Sequence, residues 1–244
     1  MKKLLLFFIL FGTLAIAQNK RFIYEYRFIP DSRNVSEIKT EMMFLDTSKN
    51  GSKYYSYTVF NSDSLMKAYA TKQLKVNDSA YVDPALQIGI VRYSVIKTYP
   101  DYKTNIHRRF GMYAYKISED RKINWKISSE KEKVGEWIAQ KAETDFAGRH
   151  WTAWFSTEIP IQDGPYKFHG LPGLIVKIED ETGSHKMELK GIKNIQRDLN
   201  INVIEPKQIA INSNKFQKLE KEQKERFKNQ INNDNNHIEL DIVK

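Results

Sequence analysis

"RFIYEYRFI", residues 21–29, places Phe22, Tyr24, Tyr26 and Phe28 at every second position, with Glu25 and Arg27 between them. A strand half-buried against a core needs this alternation, because successive side chains leave a pleated backbone on opposite faces. On a helix the same four aromatics would be scattered around the circumference. The pattern recurs along the chain. Ile38, Met42 and Phe44 keep step within 35–45, Lys53 to Phe60 reads as a short aromatic strand, and Val91 to Tyr99 alternates up to Pro100. Ile106 to Ile117 reads as one strand with Gly111 as a bulge, and Ile123, Trp125 and Ile127 share a face in the next.

Trp137 to Phe146 and Arg149 to Thr157 read as two strands joined at Ala147-Gly148, a hairpin signal. Leu174, Val176 and Ile178 face one way. Across the Glu181-Thr182-Gly183-Ser184 turn, His185, Met187 and Leu189 alternate in the returning strand. Nine or ten strands joined by short turns imply a mainly β fold: an antiparallel meander sheet, open or half-closed and barrel-like. Two helices accompany it. A short one is expected over Ser64 to Lys72, with N-cap chemistry at Asn61-Ser62-Asp63. An amphipathic one is expected within 212–236, with Ser213 as its cap and Phe216, Leu219, Phe227 and Ile231 along a thin apolar stripe.

The first residues read as an export signal: Lys2 and Lys3, then apolar Leu4 to Phe11, then Ala15-Ile16-Ala17 as a small-x-small cleavage site. The expected organisation is a signal peptide at 1–17, a β domain at 18–205, and a helical, polar extension at 206–244 packed on or near the sheet. After cleavage no segment reaches the roughly 18–20 apolar residues of a membrane span. The chain has no cysteine, so neither disulfides nor thiolate metal sites are available. The net charge of +9 would raise nucleic acid as a partner in a cytosolic protein. For an exported one it points instead to anionic surface polymers or to simple solubility.

One stretch breaks the alternation. "DGPYKFHGLPGLIVKIED", residues 163–180, sets two turn signals ahead of an aliphatic run. Pro172 suits a φ near −65°, and Gly173 then takes the positive φ of a type II turn over Leu171 to Leu174. Leu174-Ile175-Val176 leaves that turn apolar on both faces, as a strand entering a covered interior does. Neither the G-x-G-x-x-G spacing nor a Walker loop's Lys-Ser/Thr end is present, which argues against phosphate binding.

Gly170-Leu171-Pro172-Gly173-Leu174-Ile175 resembles the hexapeptide that names the GLPGLI family of exported bacterial proteins. The flanks are similar too: Gly148-Arg149-x-Trp151-x-Ala153-Trp154-Phe155, Glu158-Ile159-Pro160, and Asp163-Gly164-Pro165-x-Lys167-Phe168. The resemblance is specific over 134–192. It implies export from a Gram-negative cell to the periplasm or exterior and a β-rich fold. It brings no established activity, no catalytic residue and no cofactor.

Chemistry candidates gather around the same stretch. Trp151, Trp154, Tyr166, Phe168 and His169 form a candidate aromatic platform for an apolar ligand, a sugar, a peptide or a partner protein of the envelope. The opposite parity of Trp151 and Trp154 sends one to the core and the other to the outer or concave side. Gly170, Leu171, Pro172 and Gly173 are assigned to a structural turn. His150, His169 and Asp163 are the candidates for a metal or hydrolytic site, without H-x-H or H-E-x-x-H spacing. Three functions follow as expectations: a non-enzymatic binding or carrier-like module, a metal-dependent or hydrolytic enzyme, and an accessory subunit of an outer-membrane complex.

Overall fold

A computed structural model describes residues 19–31, 34–62, 64, 89–196, 208–223, 225, 226 and 229. The 1–17 leader, most of the helix expected at Ser64 to Lys72 and the last part of the 206–244 extension lie outside the described residues.

Twelve strands build one sheet: β1 (Lys20–Phe28), β2 (Lys39–Ser48), β3 (Gly51–Ser56), β4 (Tyr93–Thr98), β5 (Lys103–Phe110), β6 (Tyr113–Glu119), β7 (Lys126–Val134), β8 (Trp137–Phe146), β9 (Arg149–Ser156), β10 (Leu174–Asp180), β11 (His185–Asn194) and β12 (Gln208–Asn212). Their order is β12-β6-β5-β4-β3-β2-β1-β11-β10-β9-β8-β7. Every neighbouring pair is antiparallel except β12 on β6. The mainly β, largely antiparallel reading is therefore what the chain adopts, as an open sheet with β12 and β7 at its edges.

Directly opposed residues share a face, and the register runs one apolar face across the strands. Tyr24 stands opposite Met43 and Leu189, Leu45 opposite Tyr54, Tyr54 opposite Val95, and Ile106 opposite both Val95 and Ile117. All of them are buried. The sheet curls toward this face. Arg121, two residues past β6, lies with its guanidinium carbon 5.2 Å from the centre of the Phe146 ring at the end of β8. In a flat sheet the nine strand spacings between β6 and β8 would set them about 43 Å apart.

Several local expectations are corrected. The run 106–117 is two strands, because Gly111, at φ +60°, reverses the chain as a hairpin turn instead of bulging it. Ile123 and Trp125 precede β7 and pack on the core from a loop. The helix expected after residue 63 begins at 57, and Ser56 caps it by accepting the Val59 N–H at 3.1 Å. In the C-terminal helix (213–223) the cap is Asn212, whose side chain accepts the Lys215 N–H at 2.9 Å. Ser213 instead donates to the Ser118 carbonyl at 2.8 Å, and buried Phe216 docks the helix edge-on to Phe110 and Tyr115.

The 170–178 stretch is also rebuilt. Positive φ falls on Gly170 (+92°), and Gly173 closes a three-residue turn by donating to the Leu171 carbonyl at 2.8 Å. Glycine is needed at 173 for space: a Cβ there would sit 2.2 Å from the Ser156 carbonyl oxygen. Val176 is the extra residue of a bulge against β9, where Ile175 faces Phe155 and Lys177 faces Trp154. The bulge flips parity, so Ile175 and Ile178 share the inner face, in place of Leu174, Val176 and Ile178. The Tyr24 hydroxyl donates to the Ile175 carbonyl at 2.7 Å beside that bulge.

Candidate functional site

Residues 159–173 leave β9, cross the inner face and return to β10. The crossing is closed by an antiparallel bridge between Asp163 and His169, with the Gly170 N–H donating to the Gln162 carbonyl at 3.0 Å. A tight loop over the inner face of a sheet exposes backbone carbonyls to an apolar interior, where each needs a donor. Lys97 of β4 supplies it. Its ammonium donates to the carbonyls of Gly164 (2.6 Å), Tyr166 (3.1 Å) and Phe168 (3.2 Å), and pairs with the Asp163 carboxylate. Asp163 also accepts the hydroxyls of Ser52, at 2.5 Å, and Tyr99. Both side chains of the ion pair are 0 % exposed. Burial pushes the Lys97 amine down from its usual value, with Asp163 opposing that shift. This cage holds the loop in place and fixes Tyr166 in the left-handed region at φ +55°.

Beside the caged loop the inner face opens into a cleft of about 330 Å³. Its aromatic lining is Tyr26, Tyr93, Trp151 and Tyr166, joined by His185 and Met187; Arg121, Arg149 and Lys167 stand among them. Tyr93 meets Tyr166 edge-on at 5.6 Å, and the Tyr26 hydroxyl lies 2.8 Å from His185 Nδ1. Burial lowers the His185 pKa, Arg149 adds to that and Asp180 opposes it, so its imidazole is biased to the neutral form.

The three cations are steered by carboxylates that do not line the cleft. Arg121 grips Glu119 through Nε and Nη2 at 2.7 and 2.6 Å, while Lys167 reaches the same carboxylate at 2.8 Å. Burial pushes Glu119 up, but the hydrogen bonds from Arg121 and Lys167 overcome it and hold its pKa at about 2. Arg149 pairs with Asp180, which also accepts the Thr182 hydroxyl at 2.7 Å and the His185 N–H at 2.8 Å. Three cations thus meet two carboxylates, and the cleft keeps one positive charge in surplus.

The structure sorts the candidates read from sequence. Trp151 and Tyr166 line the cleft. Phe168 lies beneath it, fully buried, its ring 4.8 Å from that of Trp151. Trp154 takes the opposite face, as its parity requires, yet it too is buried, with the Lys177 ammonium 5.8 Å from its ring. His169 stacks on Tyr102 at 4.8 Å and 8°, away from the lining residues, and its carbonyl accepts the Trp125 indole N–H at 2.9 Å. His150 sits at the rim of β9 and pairs with Asp145 at 2.9 Å. Asp163 is occupied by Lys97, Ser52 and Tyr99, and among the described residues no group of three or more His, Asp or Glu is placed to hold a metal ion.

Sequence reasoning did not pick out Lys97, Tyr93, Arg121, Arg149, Lys167 or His185 as site residues. The curl of the sheet brings Tyr93 and Arg121 toward Arg149, Lys167 and His185, and the crossing loop is what reaches Lys97. A second depression of about 420 Å³ runs between the β5–β6 turn and the C-terminal helix, lined by Phe110, Met112, Tyr113, Leu219 and Gln223 among others. It lies away from the caged loop.

Residues 143–177, from β8 through the caged loop into β10, match a family described as "Protein of unknown function (Porph_ging)". No curated protein matches the chain. Two crystal forms of PNGF-II share the fold, with TM-scores of 0.57 and 0.54 at 14% identity, over 83% and 81% of this chain. The chain spans about a third of those structures' length, 33% and 31%. Identity this low shows a common fold and nothing more.

Proposed function

We propose that this protein is an exported binding module that takes a small ring-bearing ligand in the inner-face cleft. The observation that carries the reading is the lining itself: four aromatic side chains from β1, β4, β9 and the caged loop converge on about 330 Å³ beside three cations. Ligand sites are concave, largely apolar and fitted with a few convergent polar groups, and this volume is at the small end of their range. The loop that forms one wall is clamped by a buried ion pair and three carbonyl contacts, which favours a preformed site over one assembled on binding. Export rests on the leader-like residues 1–17. Membership of the GLPGLI group rests on the hexapeptide at 170–175.

Native mass spectrometry of protein purified from the exported compartment tests the reading. The expected result is a bound mass that is released on denaturation and absent from a Tyr93→Ala variant with an unchanged circular dichroism spectrum. Bare protein, together with identical spectra for the two forms, would overturn it.

A further inference from the structure

The surplus charge and the aromatic lining narrow the ligand class, granting the binding reading above. We infer that the cleft accepts a monoanionic pyranose, a uronic-acid-type sugar, with its carboxylate on the cations and its ring among the aromatic side chains.

Three observations support this. First, Arg121, Arg149 and Lys167 come from three separate segments: the stretch just past β6, the start of β9 and the caged loop. Cations from separate segments would repel one another at a single cleft unless charge is balanced there. Second, the balance is incomplete by one. Glu119 is shared by two cations and Asp180 serves Arg149, and neither carboxylate lines the cleft. One surplus charge matches a carboxylate better than a doubly charged phosphate, and a planar guanidinium presents paired donors to two oxygens. Third, the lining combines aromatic bodies with polar tips: the tyrosines, the His185 imidazole and the Gln217 amide, with the Lys167 ammonium 5.0 Å from the Tyr166 ring. Such amphipathic side chains suit a ligand that is apolar on one face and hydroxylated at its edge. The volume holds one ring with its substituents.

Calorimetric titration of the full chain at low salt tests the class, using D-glucuronate and D-galacturonate as probes. Glucose, galactose, benzoate and inorganic phosphate serve as comparators. The expected outcome is uronate binding about tenfold or more tighter than the matching neutral sugar, a margin that shrinks as salt screens the charges. The margin should disappear in Arg149→Gln and be reduced but still present in Arg149→Lys, which keeps the charge without the paired donors, with circular dichroism reporting the fold of each. Equal binding of acid and neutral sugars would overturn the anion preference and leave the binding reading standing. Stronger binding of benzoate or phosphate than of uronate would overturn the sugar assignment in the same way. If none of these binds, the class falls, and the mass-spectrometric result alone decides whether the binding reading falls with it.

Discussion

Lys97 of β4 and Asp163 of the crossing loop pair where neither side chain has any solvent exposure, and the same ammonium serves the carbonyls of Gly164, Tyr166 and Phe168. Taking two charges out of water costs several kcal/mol each, and their attraction offsets this only when the remaining donors and acceptors are filled. Here they are filled: four oxygens surround the ammonium, and the carboxylate also accepts Ser52, Tyr99 and the Gly164 N–H at 2.7 Å. The pair is therefore a clamp on the loop that walls the cleft. Its parts are interdependent.

Removing one partner should show this. Lys97→Met leaves a buried carboxylate and three carbonyls without their cation, and is expected to destabilise the fold by about 3–5 kcal/mol. Urea unfolding followed by circular dichroism measures it. A loss near 1 kcal/mol would mean that water enters to replace the lysine. Asp163→Asn, which keeps a polar group against Ser52 and Tyr99, should cost less than Lys97→Met.

Two glycines of the Gly-Leu-Pro-Gly turn separate strain from space. Gly170 has φ +92° and open room around its missing Cβ, whereas a Cβ on Gly173 would meet the Ser156 carbonyl at 2.2 Å. Gly170→Ala should cost about 1 kcal/mol for its backbone conformation. Gly173→Ala should cost about 3 kcal/mol or more, because two backbone segments must part. Equal melting shifts for the two variants would contradict that ranking.

What was legible in the sequence follows from this contrast. The alternation of Phe22, Tyr24, Tyr26 and Phe28 and the Ala147-Gly148 reversal are local consequences of pleat and turn geometry, and both are realised; Ala147 and Gly148 take φ +56° and +80°. The bulge at Val176 was not legible, since one extra residue leaves composition unchanged while flipping every later side chain. Gly111 was ambiguous for a related reason: a glycine within an alternating run suits a kink and a reversal equally. Lys97 reads as a solvated strand residue until the loop over it is known. Arg121 and Phe146 meet only because the sheet curls, a long-range property that no local window contains.

Tyr24 offers a narrower test of the bulge. Its buried hydroxyl donates to the Ile175 carbonyl at 2.7 Å. Tyr24→Phe removes that donor with almost no change of shape and leaves the carbonyl unpaired in an apolar surrounding. The expected loss is about 1–2 kcal/mol in a urea titration. A neutral result would mean that the carbonyl finds another donor.

Thr144 should behave in the opposite sense. It stands opposite Trp151 on β8, buried, with its hydroxyl lacking a hydrogen-bond partner. Replacing an unpaired buried hydroxyl by a methyl removes a desolvation cost and adds apolar contact. Thr144→Val is expected to stabilise the protein by up to about 1 kcal/mol, read as a higher urea midpoint at unchanged slope. A lower midpoint would indicate that an internal water satisfies the hydroxyl.

The stability of the cage should also depend on pH through His169. Burial pushes its imidazole down to about 4, the Lys97 charge adds to that shift, and Asp163 opposes it. The ring stacks on Tyr102, so these are the groups that face it. In the unfolded chain the same imidazole titrates near its ordinary value of about 6.5. Below that pH the unfolded state binds the proton first, so stability falls as pH drops from about 6.5 to about 4 and the loss is complete below 4. The difference in pKa corresponds to about 3 kcal/mol. Glu119 titrates in a separate window: its pKa of about 2 contributes stability that is present above the ordinary carboxylate range and lost only as pH falls toward 2. Urea midpoints of the wild type and His169→Gln across pH 4–7 isolate the histidine. The expected difference curve rises through that range, with the variant gaining on the wild type as pH falls. A flat difference would mean that His169 is solvated in both states.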